Sequence, residues 1–447
     1  MRRGLWQRWM LTCNYVEFAT TATASCKRFA FTLELHLRAW NCGGRLMKRT
    51  LIFATLAALA TRPVAAADLP ADASPVALSA EDQAALNAAV AADQAPPPAA
   101  ASGASAGSNP AISLLFGGSA AAFSRADPQQ LGGHDATASG FNLNYLELFA
   151  ESNVDPYLHF QTSIAIGKDG VELEEAFADT LALPGNLQVK AGKFLSDFGR
   201  INPTHPHVWS FADQPLMAGK FFGPDGNRGM GAQLAWLLPL PWFVEAKLAT
   251  QAADGSCCNR SMFSDAGRPV RAGDDLLYTA TLRTFVPLND DWSLYVGASG
   301  QTGPNPQTTG LGTQIVGGDL YLRWRPVADS ERRSLSLQVE QAGRRRDLGG
   351  KIVDDQAGYA HLVARVAERW ETGWRSEWAS GVANDPLDPQ WTDLRTRHAV
   401  QATFYPSHFS RIRLQVSMDR PNWLNTPVYG ALLMLESVIG SHGSHGY

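Results

Sequence analysis

The chain has 447 residues, a formal net charge of −4 and 18% charged residues. Its 38 Lys and Arg nearly balance its 42 Asp and Glu, which argues against a nucleic-acid-binding surface. Five cysteines in a chain of this length exclude a disulfide framework.

Residues 1–46 carry Arg2, Arg3, Arg8, Cys13, Cys26 and Cys42 with no coherent period. Residues 47–67, MKRTLIFATLAALATRPVAAA, then set Lys48 and Arg49 before an apolar core from Thr50 to Ala60 and small residues from Val64 to Ala67. Charge, short apolar core and small residues in that order read as a secretory signal peptide. The core is well short of the roughly 20 residues that a helical span needs. Met47 is therefore read as the start, residues 1–46 as an over-translated segment, and Ala67 or Asp68 as the mature N-terminus. Of the cysteines, only the adjacent Cys257 and Cys258 then remain. Residues 68–110 are rich in Ala, Pro, Ser and Gly. Their composition predicts a periplasmic tether with one short helix after Ser79, ended by Pro96, Pro97 and Pro98.

From Ile112 onward, apolar and polar residues alternate in segments of about ten, each closed by Gly, Pro, Asn or Asp. In DLYLRWRP, Leu320, Leu322 and Trp324 share one face, and Asp319, Tyr321, Arg323 and Arg325 the other. RIRLQVSMD sets Ile412, Leu414, Val416 and Met418 against Arg411, Arg413, Gln415, Ser417 and Asp419. Period two over such lengths means strands, since consecutive side chains point to opposite faces. About sixteen candidate strands begin near residues 112, 140, 156, 170, 185, 228, 242, 276, 291, 313, 333, 356, 370, 393, 409 and 427. Long connections are expected after the first, fifth, seventh, ninth, eleventh and thirteenth. Tight turns such as SNVDP, LPGN, LPLP, PLNDD and YPSH follow the second, fourth, sixth, eighth and fourteenth. Tight turns on one rim and long loops on the other are the signature of an antiparallel transmembrane β-barrel in a bacterial outer membrane, here spanning residues 111–447. The run Glu172, Glu174, Glu175 breaks strict alternation and predicts a bulge. Trp242, Trp292, Trp370 and Tyr429 near strand starts, with Trp324 and Phe404 near strand ends, suit two interfacial girdles.

With apolar faces toward lipid, polar faces line a lumen. Its pore-lining candidates are Arg323, Arg325, Arg395, Arg397, Arg411 and Arg413, with Glu172, Glu174 and Lys190. These charges either set up a field across a pore or pair between neighbouring strands and fill the wall. Arg395, Arg397, Arg411 and Arg413 stand out as a local basic patch without close acidic candidates. No H-E-x-x-H or P-loop spacing occurs, and the chain is not read as an enzyme. A rim-sited enzyme would need a Ser–His or Asp–His pair that sequence alone does not reveal.

The stretch NPTHPHVWSFAD, residues 202–213, falls in the longest connection, on the long-loop side. Pro203 and Pro206 stiffen it, and Trp209 and Phe211 could pin it to a wall. His205 and His207 are also metal-ligand candidates. Zinc needs four ligands, or three with a water; Asp197, Asp213, His442 and His445 are the available companions. Whether the histidines serve the turn or a zinc ion stays open.

The stretches YLELFAESNVDPYLHFQTSIAI and VELEEAFADTLALPGNLQVKAGKFLSDFGRINPTHPHVWSFADQPL, with the ending GSHGSHGY, resemble a family of proteobacterial outer-membrane proteins often labelled zinc-regulated TonB-dependent outer-membrane receptors. VKAGKFLSDFG is more distantly similar to phosphate-selective porins. The first resemblance covers residues 140–447 and implies metal-linked uptake. The resemblance to porins implies that the third long loop folds inward and narrows the barrel, which would make His205, His207, Trp209 and Asp213 its constriction loop. Residues 68–110 are too few for the plug that precedes a 22-stranded receptor barrel.

The leading expectation is a porin-like channel of about 16 strands that passes small hydrophilic solutes or ions and contacts outer-membrane lipid. A zinc-linked receptor is the alternative, and an oligomer is compatible with either. Leu320, Leu322, Leu414 and Val416 should face lipid. Arg in place of Gln415 should cost little, because Gln415 faces the lumen. Exposed at a constriction, His205 and His207 would change charge between about pH 5 and 8.

Overall fold

The structure, a computed structural model, describes residues 110–167, 170–252, 259–262, 272–306 and 310–440. Residues 1–109, which hold the segments expected to be over-translated, signal peptide and tether, lie outside the described residues, as do Cys257, Cys258, His442 and His445.

Sixteen antiparallel strands close into one barrel, each paired with its sequence neighbours and the first with the last. They are β1 (Ala111–Phe123), β2 (Gly140–Asn153), β3 (Leu158–Gly167), β4 (Gly170–Thr180), β5 (Leu187–Leu195) and β6 (Arg228–Leu237). Next come β7 (Phe243–Ala252), β8 (Leu276–Pro287), β9 (Trp292–Pro304), β10 (Gly312–Trp324) and β11 (Ser334–Asp347). The last are β12 (Ile352–Ala367), β13 (Trp370–Ala379), β14 (Arg395–Ser407), β15 (Ser410–Arg420) and β16 (Val428–Gly440). Closure leaves no unpaired sheet edge, which is what a sheet needs to cross a bilayer.

Alternation sorts the side chains as the sequence predicts. On β15, Leu414 and Val416 point outward and are 51% and 45% exposed, while Arg413 and Gln415 point inward and are buried. Leu248, Leu282, Val400, Trp374 and Leu433 continue the apolar outer surface, which only a lipid bilayer would cover favourably. Barrel, alternation and apolar belt together make this a transmembrane barrel of the outer-membrane kind. The aromatic belt differs from expectation. Starts of odd strands and ends of even strands lie on the same rim, so Trp242, Trp292, Trp324, Trp370 and Phe404 form a single girdle at the short-turn end. Two of its pairs face each other across the ladder: Trp292 and Trp324 at 6.5 Å between ring centres, Trp370 and Phe404 at 4.9 Å. Tyr429 lies at the opposite rim.

Turn geometry follows local chemistry. In LPGN, between β4 and β5, Gly185 and Asn186 both take left-handed backbone (φ 74° and 59°), which reverses the chain tightly. The eleventh connection is not long. β11 runs to Asp347 and β12 begins at Ile352, joined by residues 348–351, with Gly349 and Gly350 at φ 74° and 125°. The bulge in β4 is present. Ser163 of β3 opposes Glu175 and Ile164 opposes Leu173, leaving Glu174 as the extra residue.

Candidate functional site

The connection from β5 to β6, residues 196–227, does not stand outside the barrel. None of it is exposed and most of it is buried, including all of its helix α1 (Leu216–Phe221). Asn202 closes its base, donating to the carbonyls of Ser196 (2.7 Å) and Asn227 (3.1 Å) and accepting from the Asn227 amide (2.8 Å). From there the loop crosses the lumen and is fastened on two sides.

On the far side the fastener is Asp213. Its carboxylate accepts from Arg375 of β13 (2.6 Å), Arg397 of β14 (3.1 Å) and Gln415 of β15 (2.6 Å). The two guanidiniums hold this carboxyl below its usual range although burial alone would raise it. Gln415 also accepts from the Ala212 amide (2.8 Å), and Glu377 accepts from the Leu216 amide. Lys220 pairs with Asp355 of β12. Phe211 is 1% exposed, packed with Val363 and Ala399 beneath the Arg375 guanidinium. The loop also touches the β1–β2 connection, where Asp135 accepts from the Gln214 amide (2.9 Å). Burial, with Asp213 nearby, pushes the Asp135 carboxyl up to about 6.

On the near side the fastener is a group of imidazoles and carboxylates. Pro206 opens a single 3₁₀ turn, Pro206–Val208, that carries His207 and follows directly on His205. His205 Nε2 lies 2.8 Å from Glu175, and its Nδ1 lies 3.5 Å from both Glu147 of β2 and Glu174. His207 Nδ1 is 3.1 Å from Glu147, and His134 of the β1–β2 connection is 3.1 Å from Glu174. The bulge in β4 makes this arrangement possible, because it turns Glu174 and Glu175, adjacent in sequence, both into the lumen. Burial pushes the His205 imidazole down, but the carboxylates around it outweigh that and hold it well above the ordinary value. The expected titration of His205 between pH 5 and 8 is thereby displaced upward. His205 is buried among acids rather than exposed at a constriction.

The basic patch also needs correction. Arg397 lies directly across from Asp419 on the neighbouring strand, and Arg411 directly across from Glu436. Arg395 and Arg397 both pair with Asp419, while Arg411 and Arg413 pair with Glu436. Their remaining donors hold loops: Arg395 and Arg397 on the Gln129 carbonyl, Arg411 on that of His207 (2.7 Å), Arg413 on that of Trp209 (2.8 Å). All four arginines are clamps, and of them Arg411 also lines a cavity. The premise for a low cost of Arg at Gln415, a free lumen-facing side chain, does not hold, since Gln415 is fully buried and bonded to the loop.

Two cavities of about 510 and 520 Å³ lie on the short-turn side of the inward loop. The first is lined by Lys190, Asp197, Lys247, Arg283 and Tyr295, among others, and the second by Arg323, Arg365, Glu371, Tyr405 and Arg411. Arg200, Val208 and Ser210 line both. The Arg200 guanidinium lies over the Tyr321 ring at 4.1 Å. Of the remaining pore candidates, Lys190 lies over Phe177 in the first cavity, Arg325 pairs at the rim with Glu331 (3.7 Å), and Glu172 pairs with Arg228. Trp209 keeps its indole N–H on Thr204 within the loop. On the long-loop side the cavity beside His134, Glu174, His205, Asp225 and Arg228 is only about 30 Å³, room for a water or two.

No family model matches the sequence. Among solved structures, the barrel is similar to OprB of Pseudomonas putida, with a TM-score of 0.51 and 12% identity, over 73% of this chain and 94% of that one. It is also similar to the outer membrane channel DcaP of Acinetobacter baumannii, with a TM-score of 0.51 and 10% identity, over 75% of this chain and 99% of that one. These likenesses establish the fold. Sequence similarity is higher to a protein of Aquifex aeolicus (strain VF5) described only as uncharacterized: 34% identity over 346 residues, 69% of this chain and 70% of that one. The chain belongs to the family of this Aquifex aeolicus protein.

Proposed function

We propose that the barrel is an outer-membrane channel of the porin kind for small hydrophilic solutes, with the inward loop as its constriction. The observation that carries this reading is the loop itself, folded across a 16-strand barrel beneath which two charged cavities of about 510 and 520 Å³ open. DcaP, which shares the fold, is described as a channel. The second cavity is lined by five arginines (200, 323, 325, 365, 411) against three glutamates (331, 371, 436), an excess that favours anions. Because only about 30 Å³ is open beside His205 on the long-loop side, solutes larger than water pass when the loop is displaced. Planar-bilayer recording tests this. Anion-preferring current supports it, and insertion without current overturns it.

A metal-linked receptor is the second reading, favoured by the imidazoles and carboxylates gathered at His205. Against a TonB-dependent form of it stands the strand number, 16 here, whereas plugged transporters of that kind have about 22.

A further inference from the structure

We propose that Glu147 Oε1, Glu174 Oε2 and His205 Nδ1 form a binding site for one divalent first-row transition-metal ion, which latches the inward loop to the wall. The ion is a structural fastener here, not cargo, so the site does not depend on the receptor reading.

The distances fit. His205 Nδ1 stands 3.5 Å from each of the two carboxylate oxygens. In a tetrahedral site with bonds of about 2.0–2.1 Å, ligand atoms lie about 3.3 Å apart. Two sides of the triangle are thus nearly the right size before any ion enters, and ligand atoms of the three residues lie within 4.8 Å of one another. Ser163 Oγ borders it, donating to Glu147 Oε1 (2.6 Å) and Glu174 Oε2 (3.3 Å).

Each of the three ligands is aimed by a partner on its other side. Glu175 holds His205 Nε2 at 2.8 Å, which fixes the ring with Nδ1 toward the triangle, where a binding ion displaces the Nδ1 proton. His207 holds the second oxygen of Glu147 at 3.1 Å, and His134 holds the second oxygen of Glu174 at 3.1 Å. Carboxylate–histidine and histidine–carboxylate pairs of this kind orient ligands in metal sites. Two carboxylates and one imidazole suit a borderline divalent ion, with solvent completing the shell.

The other carboxylate cluster shows the contrast. Asp355, Asp385 and Asp388 also come together, but Arg344, Arg346, Arg260 and Lys220 already neutralise them at close range. In the His205 group the guanidinium that pairs with a ligand carboxylate is that of Arg228. It reaches Glu174 Oε1, the oxygen turned away from the triangle. The approach runs through the small cavity lined by Asp225 and His134.

The test uses the full chain, purified in detergent, stripped with chelator and loaded with zinc or manganese. Metal counting and calorimetry should find one equivalent per barrel, lost in a Glu147→Gln/Glu174→Gln variant. Glu175→Gln should weaken it about 10–100-fold, the usual cost of removing an orienting partner. X-ray absorption of the loaded parent needs no variant, and should show one imidazole among oxygen donors. Unchanged stoichiometry in the double variant overturns the proposal. So does metal that disappears only when His442 and His445 are replaced, or a shell with no imidazole or with several.

Discussion

Replacing Asp213 by Ala should free the inward loop without unfolding the barrel. Asp213 is 1% exposed and takes hydrogen bonds from two buried guanidiniums and one amide. Removing one partner of a buried ion pair costs about 3–5 kcal/mol, because the other partner's charge stays desolvated. Arg397 keeps Asp419, and Arg375 keeps Glu377, which places the expected loss toward the lower figure. At about 1.4 kcal/mol per tenfold, roughly 3 kcal/mol raises the detached population of the loop by about a hundredfold. Amide hydrogen exchange reads that population directly where opening is local. The Ala212 and Leu216 amides, bonded to Gln415 and Glu377, should exchange about a hundredfold faster in Asp213→Ala. The Ala191 and Ala232 amides, in the β5–β6 ladder, should not change. Less than tenfold acceleration at Ala212 and Leu216 would refute the strap. Equal acceleration in the ladder would show that the loop is no separate unit.

Other positions give independent checks. Leu414→Arg, on the lipid face of mid-β15, should cost about 2–4 kcal/mol in reversible denaturant titration from lipid vesicles; a change within 0.5 kcal/mol would mean that this face does not meet lipid. Gln415→Leu leaves the Ala212 amide without its acceptor and takes one of two donors from an Asp213 oxygen that keeps Arg375, and should destabilise loop attachment by about 1–3 kcal/mol, read by the same exchange experiment; unchanged protection would contradict that role. Arg323→Glu places an acid in the second cavity and should move the reversal potential in a salt gradient toward cations; an unmoved potential would remove this cavity from the conduction path.

The barrel was legible in the sequence because its signal is local. Period two and turn residues recur along each strand, and the expected strand starts fall within a few residues of those observed. The bulge at Glu174 was legible for the same reason. β11 was misjudged at its end, where Arg344, Arg345 and Arg346 are polar on both faces. Arg344 and Arg346 turn into a filled lumen, while Arg345 is exposed outside. Alternation of polarity vanishes there although the strand continues. The loop's attachments were not legible. Asp213 meets Arg375 and Arg397 across separations of 162 and 184 residues, and only barrel closure brings them together. The four arginines looked unpaired because their acids, Asp419 and Glu436, each lie on the next strand and share the guanidiniums with loop carbonyls. His205 was singled out with His207 as its co-ligand. The structure instead surrounds it with Glu147, Glu174 and Glu175, two of which face the lumen together only because of the bulge.

The most direct test of a loop-constricted channel is single-channel recording of the full chain beside its Asp213→Ala variant, in planar bilayers under a salt gradient. The expected result is small, anion-preferring current in the parent and larger or more frequent openings in the variant. Barrels that insert and carry no current in either form would contradict it.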